Sequence, residues 1–344
     1  MSGANSFGSR LILTSCGESH GAGLGAVIDG VPAGVRWDEE RLKDELERRH
    51  PGQSAVVSSR GEADEAEVLS GVFEGRTLGT PIAVLVRNKD ARSEDYAKIA
   101  KKSRPGHADD VWKTKFGHSD PRGGGRSSGR ETVSRVISGA VAQMILGHLA
   151  PKLRVTGFAA QIGPFELGER ERETLSKKKF RYPADAFVAR FPSTAQTKKV
   201  ETLLLEAKTK GLSYGGVAEI WVDGVPAGLG QPVFHKIKAD LASACLSLGA
   251  TSAFELGAGF AATQAEGSQF HVDKGDIYGG IRGGITTGER LIFRVGFKPT
   301  SSVLDVAKKG RHDPCIVPRA LPVLEAMTYH ILTDHILWAR TDRV

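Results

Sequence analysis

Three arginines stand in a glycine- and serine-rich stretch at residues 120–131, which reads DPRGGGRSSGRE. The arginines are Arg122, Arg126 and Arg130. Guanidinium groups on a glycine-rich backbone attract negative charge, so the stretch predicts a site for phosphate or carboxylate groups. The alternatives are a solvated loop and an RNA-binding box of the arginine-glycine kind. We favour the anion site, because a capped helix is predicted directly after the stretch and disordered boxes lack one.

The segment that follows this loop has the pattern of a helix. Its apolar residues recur at a spacing of three and four and stop at Pro151, which predicts a helix with one apolar face. The residues of that face are Val133, Val136, Ile137, Ala140, Val141, Met144, Ile145 and His148. Ser128 and Glu131 have the spacing of a capping box, so the free amides and the positive dipole end of the helix should face the arginine loop.

Three histidines lie in polar turns next to glycine or proline, where a rigid scaffold can fix a catalytic side chain. His20 lies in CGESHG, His107 in RPGHAD, and His312 in RHDP beside Asp313. A single loop histidine is most often only a surface residue. Because the pKa of histidine is near 6.5, however, it can donate or accept a proton at neutral pH. We therefore treat the three turns as candidates for proton transfer.

Three further segments have a weaker chemical signal. Arg48, Arg49 and His50 end a predicted helix, and cations there can simply offset the helix dipole. Lys298–Ser302 reads KPTSS and combines one cation with three hydroxyls, a mixture that binds phosphate or a polar ring edge. The string GGIRGG at 279–284 is a poor nucleotide loop, because no βαβ unit with a downstream acidic residue surrounds it.

The composition favours a small anionic partner. The net charge is +7, but the 47 basic residues are spread among 40 acidic ones, unlike a nucleic-acid-binding stripe. No RNA-recognition signature, zinc-finger spacing or basic heptad region occurs. The three cysteines form no CxxC motif, which is typical of a reducing compartment. With no signal peptide and no apolar run near the roughly 20 residues that span a bilayer, we expect a soluble cytoplasmic protein that binds neither nucleic acid nor membrane.

The chain contains an internal repeat, in which VIDGVPAG at 27–34 returns as WVDGVPAG at 221–228. Each copy ends an apolar strand and precedes a helical pattern, over Asp38–Arg49 in the first and Val233–Leu248 in the second. A chance repeat of a turn is the alternative, but the matching flanks favour two related halves.

The 344 residues exceed the size at which single cores usually stop growing, which also favours two units. We place the halves at about 1–165 and 200–344, joined by a charged, proline-broken segment at 166–199. Short apolar runs after glycine turns, such as Leu11–Thr14, Pro81–Val86 and Leu291–Phe297, predict mostly antiparallel sheets. We expect the helices to pack between these sheets.

Taken in order, these strings resemble one family, the chorismate synthases. The resemblance runs from NSFG through GESHG, DGVPAG, RRHPGQS, LSGVFEG, GTPI, RPGHAD, RGGGRSS, the second DGVPAG, GGIRGGITTGE and KPTSS to RHDP, and covers nearly the whole chain. It implies an internally duplicated α+β fold with long helices between two antiparallel sheets, assembled as a homotetramer. It also implies the last reaction of the shikimate pathway, which serves aromatic amino acid biosynthesis. In that reaction 5-enolpyruvylshikimate 3-phosphate loses phosphate by trans 1,4-elimination to give chorismate, with reduced FMN and no net redox change.

The resemblance also implies roles for individual residues. His107 matches the acid at the leaving phosphate, His20 the histidine at the reduced flavin, and Asp313 the aspartate that assists removal of the substrate proton. Ser19 and Ser128 match residues that organise water near these groups. The implied FMN contacts are Arg126, Ser127, Ser128, Gly249, Ala250, Gly283, Lys298, Pro299, Thr300, Ser301, Ser302 and Arg311. The implied contacts to substrate or NADP(H) are Arg48, Arg49, Arg104 and Arg130.

Four positions depart from the usual pattern of the family. Ala55 stands where many members have a basic residue after PGQS, and His50 replaces a third arginine. Gly249 stands where an asparagine is common, and the segment 303–310 is shorter than in many members. The sequence leaves open whether the chain reduces FMN with NADPH itself or depends on flavin that is reduced elsewhere.

Two other classes of function stay open at this point. A metal-dependent hydrolase could use His20, His107, His312 and Asp313 as ligands, although they lack the close helical spacing of known zinc motifs, and we expect no metal. A non-catalytic RNA-binding protein could use the arginine loop, and its affinity would then fall steeply with salt.

Overall fold

The structure is a computed structural model, and it describes residues 3–50, 56, 64–88, 106–118, 120, 124–176, 182–272, 276–301, 303 and 312–344. Arg104, Ser302 and Arg311, which the sequence analysis assigns to the site, lie outside these residues, as do Arg122 and Ala55. No helix in the described ranges is both long enough and apolar enough to cross a membrane.

The strands are β1 (Ser6–Phe7), β2 (Ile12–Gly17), β3 (Gly23–Asp29), β4 (Ala66–Ser70), β5 (Val72–Phe73), β6 (Arg76–Thr77), β7 (Ile82–Arg87), β8 (Arg154–Ile162), β9 (Phe165–Glu166), β10 (Gly216–Asp223), β11 (Thr251–Leu256), β12 (Ile281–Arg282), β13 (Ile285–Thr286) and β14 (Leu291–Phe297). The helices are α1 (Glu39–Arg49), α2 (Asp109–Phe116), α3 (Thr132–Leu149), α4 (Glu169–Ser176), α5 (Thr197–Lys210), α6 (Ile237–Leu246), α7 (Gly267–Phe270) and α8 (Val317–Ala339).

Within the described residues the strands form two five-stranded sheets, with orders β1-β2-β3-β7-β4 and β11-β14-β10-β8-β9, and two small hairpins. Every pairing in the two large sheets is antiparallel, as predicted. The predicted strand Leu291–Phe297 has the bounds of β14, and Pro81–Val86 corresponds to β7 one residue later. Alternating burial along β14 explains this agreement, because inward apolar residues give a period of two.

The long helices α3 and α8 lie between the two sheets. Helix α3 contacts β2 and β3 of the first sheet, α8 contacts β8 and β10 of the second, and the two helices pack on each other. A Cβ added at Gly139 would lie 2.4 Å from the Cβ of Ala326, so a side chain there would force the two helices apart. The predicted α+β class, with long helices sandwiched between antiparallel sheets, is therefore confirmed.

Two details of the predicted helices are wrong. Helix α3 has the predicted extent, but the Ser128 hydroxyl accepts from Arg130 N and not from Glu131 N, which bonds the Ser128 carbonyl instead. The Glu131 carboxylate pairs with Arg135 one turn ahead. A 3-10 turn over Gly129–Glu131 causes this, because it moves the start of the α-helix past the capping-box register. In the second half, helix α6 begins at Ile237 instead of Val233, because Val233 has a positive φ of 73° in the preceding turn.

The two copies of the repeat make the same hydrogen bonds. The hydroxyl of buried Thr77 accepts from Val35 N at 3.0 Å and donates to Pro32 O at 2.6 Å. In the second copy the hydroxyl of buried Thr286 accepts from Leu229 N at 2.9 Å and donates to Pro226 O at 2.6 Å. The division into halves at 1–165 and 200–344, joined by 166–199, stays a prediction that these matched turns support.

We expect Thr77→Val and Thr286→Val each to lower the free energy of unfolding by about 1–3 kcal/mol, because each leaves a buried amide donor unpaired. Urea denaturation of both variants measures the effect, and Thr→Ser at the same positions is the control that keeps the hydroxyl. A large loss in one variant with none in the other would contradict the equivalence of the two turns.

Candidate active site

The turn that carries Ser19 and His20 directly follows β2. Ser19 is buried, and its hydroxyl lies 3.1 Å from Nδ1 of His20. Gly21 N closes the turn on Glu18 O at 3.1 Å. The amide of Asn88, at the end of β7, donates to the carbonyls of Glu18, Ser19 and Gly21 at 3.0–3.2 Å. His20 is therefore held by a turn whose carbonyl groups are tied to a neighbouring strand of the same sheet.

Arg126 is bonded to the end of β2. Its guanidinium donates to Gly17 O at 3.1 Å and to the hydroxyl of Ser15 at 2.7 Å. Gly125 lies so close to Glu18 that an added Cβ would be 3.0 Å from Glu18 Oε2. Burial raises the pKa of Glu18, although Arg126 opposes this shift. These contacts exclude the solvated-loop interpretation for Arg126 and disfavour an RNA-binding box, because the loop is joined to the fold.

A buried carboxylate lies between two of the predicted site arginines. Asp64 pairs with Arg49 Nη1 at 2.7 Å and also with Arg130, and its side chain is only 1% exposed. Arg49 also donates to Gly129 O at 3.2 Å and to the hydroxyl of Thr132 at 3.1 Å, at the start of α3. Burial, with the charges of Arg319 and Arg130, lowers the pKa of Arg49 to about 10 against the effect of Asp64. Arg49 therefore stays charged at neutral pH.

A second pair of opposite charges faces this cluster from the start of α8. Arg319 Nη1 donates to the carboxylate of Asp313. Its Nε is buried and has no hydrogen-bond partner within the described part of the chain. The positive charge of Arg319 lowers the pKa of Arg49, so the Arg319–Asp313 pair acts electrostatically on the Arg49–Asp64 pair. This arrangement brings Asp313 toward the arginines of the anion site.

The KPTSS segment connects Asp313 to the turn of His107. The hydroxyl of Thr300 donates to Asp313 O at 3.0 Å. The hydroxyl of Ser301 and the amine of Lys298 both donate to Gly106 O, at 2.7 and 3.2 Å. His107, the next residue, is half-buried at this junction. Two sequence motifs that lie almost 200 residues apart are thus in direct contact.

The segment with Gly249 and Ala250 is joined to two other parts of the cluster. Lys298 N donates to Ala250 O at 3.0 Å. At the other side, Arg135 of α3 donates to the hydroxyl of Ser247 at 2.7 Å and to its carbonyl at 3.2 Å. Gly249 faces open space, since an added Cβ would meet no atom within 4 Å. Gly283 lies in another hairpin, where the carbonyl of Gly284 accepts from Ile237 N at the start of α6.

Arg48 lies apart from these arginines, in its own group of carboxylates. Its guanidinium pairs with Glu45 at 3.1 Å, Asp185 at 2.7 Å and Glu325 at 2.8 Å, and it stacks 3.2 Å from the ring centre of Tyr182. Burial opposes its charge, but the three carboxylates raise the pKa of Arg48 above its usual range. Arg48 therefore joins α1, α8 and the segment near 185, where Arg190 also pairs with Asp185 at 2.6 Å.

Most of the predicted site residues lie on one connected path through the described chain. The path runs from the His20 turn through Arg126 and the start of α3 to Arg130, Arg49 and Arg319, and on to Asp313, Thr300, Ser301 and His107. Sequence reasoning missed Asp64, Asn88 and Arg319, which hold other members of the path. A lone acidic or amide residue near a loop has no sequence signal, whereas Arg319, in VPRA shortly after RHDP, could have been found from its proximity to Asp313.

Metal ligands are not grouped in the described part of the chain: no three histidine, cysteine, aspartate or glutamate side chains are placed to hold an ion. The fold and the cluster together define an α+β protein with buried guanidinium groups gathered at the starts of its long helices.

Comparison with known proteins identifies the family. The family model "Chorismate synthase" matches residues 11–337. Chorismate synthase from Bdellovibrio bacteriovorus is 61% identical over 344 residues, covering 99% of both chains. That from Opitutus terrae is 44% identical and covers 98% of this chain and 97% of its own. A crystal structure of chorismate synthase superposes with a TM-score of 0.77 at 31% identity, over 96% of this chain and 93% of that one. The chain belongs to the chorismate synthase family, and the predicted family is confirmed.

Proposed function

We propose that the connected cluster is where this chain converts 5-enolpyruvylshikimate 3-phosphate to chorismate. The observation that carries the proposal is the path from His20 to His107 through the guanidinium groups of Arg130, Arg49 and Arg319. Loss of phosphate from carbon builds negative charge on the leaving oxygen, so cations and a proton donor are needed around it. Arg49 and Arg130 supply buried cations, and Arg104 is assigned with them from the sequence.

His107 is the proposed acid at the leaving phosphate, because it lies beside the hydroxyl and amine groups of Ser301 and Lys298. Asp313 is proposed to assist removal of the substrate proton, and its ion pair with Arg319 fixes the carboxylate. The reaction then removes one proton and one phosphate, with no oxidant consumed. We leave Arg48 out of the substrate contacts, because its guanidinium is already paired with three carboxylates.

The residues present fit a flavin phosphate and ring. The donor set combines Arg126, the 3-10 turn with Ser127 and Ser128, and Lys298, while open space beside Gly129 and Gly249 leaves room for a ligand to approach the backbone. Pro299–Ser301 and Ala250 complete the described part, and Gly283, Ser302 and Arg311 are assigned from the sequence. When bound, reduced FMN would supply the electron-rich ring that assists elimination without net redox change. His20, oriented by Ser19, would hold a proton beside that ring, and Ser128 would order water.

Three further properties belong to the proposal. The enzyme acts in the cytoplasm as a homotetramer. Substrate and flavin are its small-molecule partners, and it uses neither nucleic acid nor membrane. NADPH serves only to reduce the flavin. Because Ala55 and His50 replace basic residues that could bind NADPH, we expect more turnover with pre-reduced FMN than with oxidised FMN and NADPH.

The test of the function is anaerobic incubation of the protein with chemically reduced FMN and 5-enolpyruvylshikimate 3-phosphate. Chorismate and phosphate should form in a ratio of one to one, with the flavin still reduced at the end, because the elimination consumes no electrons. Absence of chorismate, or flavin oxidation that keeps pace with turnover, would contradict the proposal.

Substitution of His107 and of His20 should have different effects. His107→Ala should lower the rate by about a hundredfold to ten-thousandfold, the usual contribution of general acid catalysis, while FMN affinity stays near wild type. His20→Ala should instead change the absorption spectrum of bound reduced FMN, because a neighbouring proton donor is lost. A spectral change in His107→Ala and none in His20→Ala would reverse the two assignments.

A further inference from the structure

Asn88 connects the turn of His20 to the arginine cluster through the two ends of one amide group. Its Nδ2 donates to the carbonyls of Glu18, Ser19 and Gly21 at 3.1, 3.2 and 3.0 Å. Its Oδ1 accepts from Nε of Arg130 at 3.2 Å. The backbone adds one more bond, from Asn88 N to Ala22 O at 3.2 Å.

The chemistry of these partners fixes the orientation of the amide. Carbonyl oxygens only accept hydrogen bonds and a guanidinium only donates them, so the nitrogen of Asn88 must face the turn and its oxygen must face Arg130. An aspartate at position 88 would still accept from Arg130 but would turn a second negative oxygen toward three carbonyls. Only a short side chain with a donor and an acceptor at its end satisfies both sides.

We propose that Asn88 is a positioning residue that sets the placement of His20 relative to Arg130. The proposal rests on the proposed function of those two residues. Arg130 shares Asp64 with Arg49, so Asn88 connects the proton-holding turn to the pair of cations assigned to the substrate. A displacement of about 1 Å at such a connection can cost about a hundredfold in rate.

Two variants separate the two ends of the amide. Asn88→Asp removes the donors to the turn, keeps an acceptor for Arg130 and adds a negative charge beside that arginine. We therefore expect kcat to fall about 10- to 100-fold and KM for the anionic substrate to rise. Asn88→Ala removes both ends without adding a charge, so kcat should fall similarly while KM should rise less than in Asn88→Asp. Gln196→Glu is the control, because it changes a half-buried amide outside the cluster that donates to Glu166 O and bonds Glu171, and both constants should stay within about twofold.

A second readout needs neither flavin nor substrate. Hydrogen exchange of the Gly21 amide, which bonds Glu18 O within the turn, should be faster in both Asn88 variants than in wild type and in Gln196→Glu. Aspartate has nearly the shape of asparagine, so Asn88→Asp can still be measured if Asn88→Ala does not fold.

A kcat near that of wild type in both Asn88 variants, unchanged exchange of Gly21, or a loss of kcat that only follows the folded fraction would overturn the proposal. If the wild-type protein makes no chorismate, the proposed function fails. The exchange experiment still decides in that case whether Asn88 holds the turn.

Discussion

The site depends on the buried carboxylate of Asp64 between the guanidinium groups of Arg49 and Arg130. Two cations 4 Å apart near a protein surface repel by about 4 kcal/mol, so a buried pair needs a shared anion. Arg49 comes from α1 and Arg130 from the 3-10 turn that precedes α3, and Arg130 also contacts Asn88 just after β7. The ion triad and Asn88 thus join α1, the turn before α3 and the segment just after β7.

The rest of the fold makes this arrangement rigid. The long helices α3 and α8 lie between two antiparallel sheets and meet so closely at Gly139 that their relative position is fixed. Helix α3 begins at the arginine loop and α8 begins just after Asp313. The Arg130–Asp64 and Arg319–Asp313 pairs therefore lie at the starts of these two helices. The catalytic groups lie on turns that these elements hold in place, which is the usual division between scaffold and active loops.

The sequence predicted those parts of the structure in which apolar residues recur at regular spacing or a short local motif marks a turn. Strand β14 and helix α3 followed from alternating or three-and-four apolar spacing, and the turns of His20, His107 and Asp313 followed from glycine and proline beside chemical side chains. The capping box failed because a 3-10 turn shifted the helix start. Asp64, Asn88 and Arg319 were missed, and Arg48 was grouped with Arg49, because their partners come from distant parts of the chain. Adjacent arginines on a helix point in different directions, so one faces Asp64 and the other faces Glu325.

The most direct measurement is urea denaturation of Asp64→Ala with and without inorganic phosphate. If Asp64 holds two buried cations that form an anion site, the variant should lose about 3–5 kcal/mol of unfolding free energy. Phosphate should restore part of that loss and stabilise the variant more than wild type, because the added anion takes the place of the carboxylate. Equal stability of variant and wild type, with the same response to phosphate in both, would contradict the account.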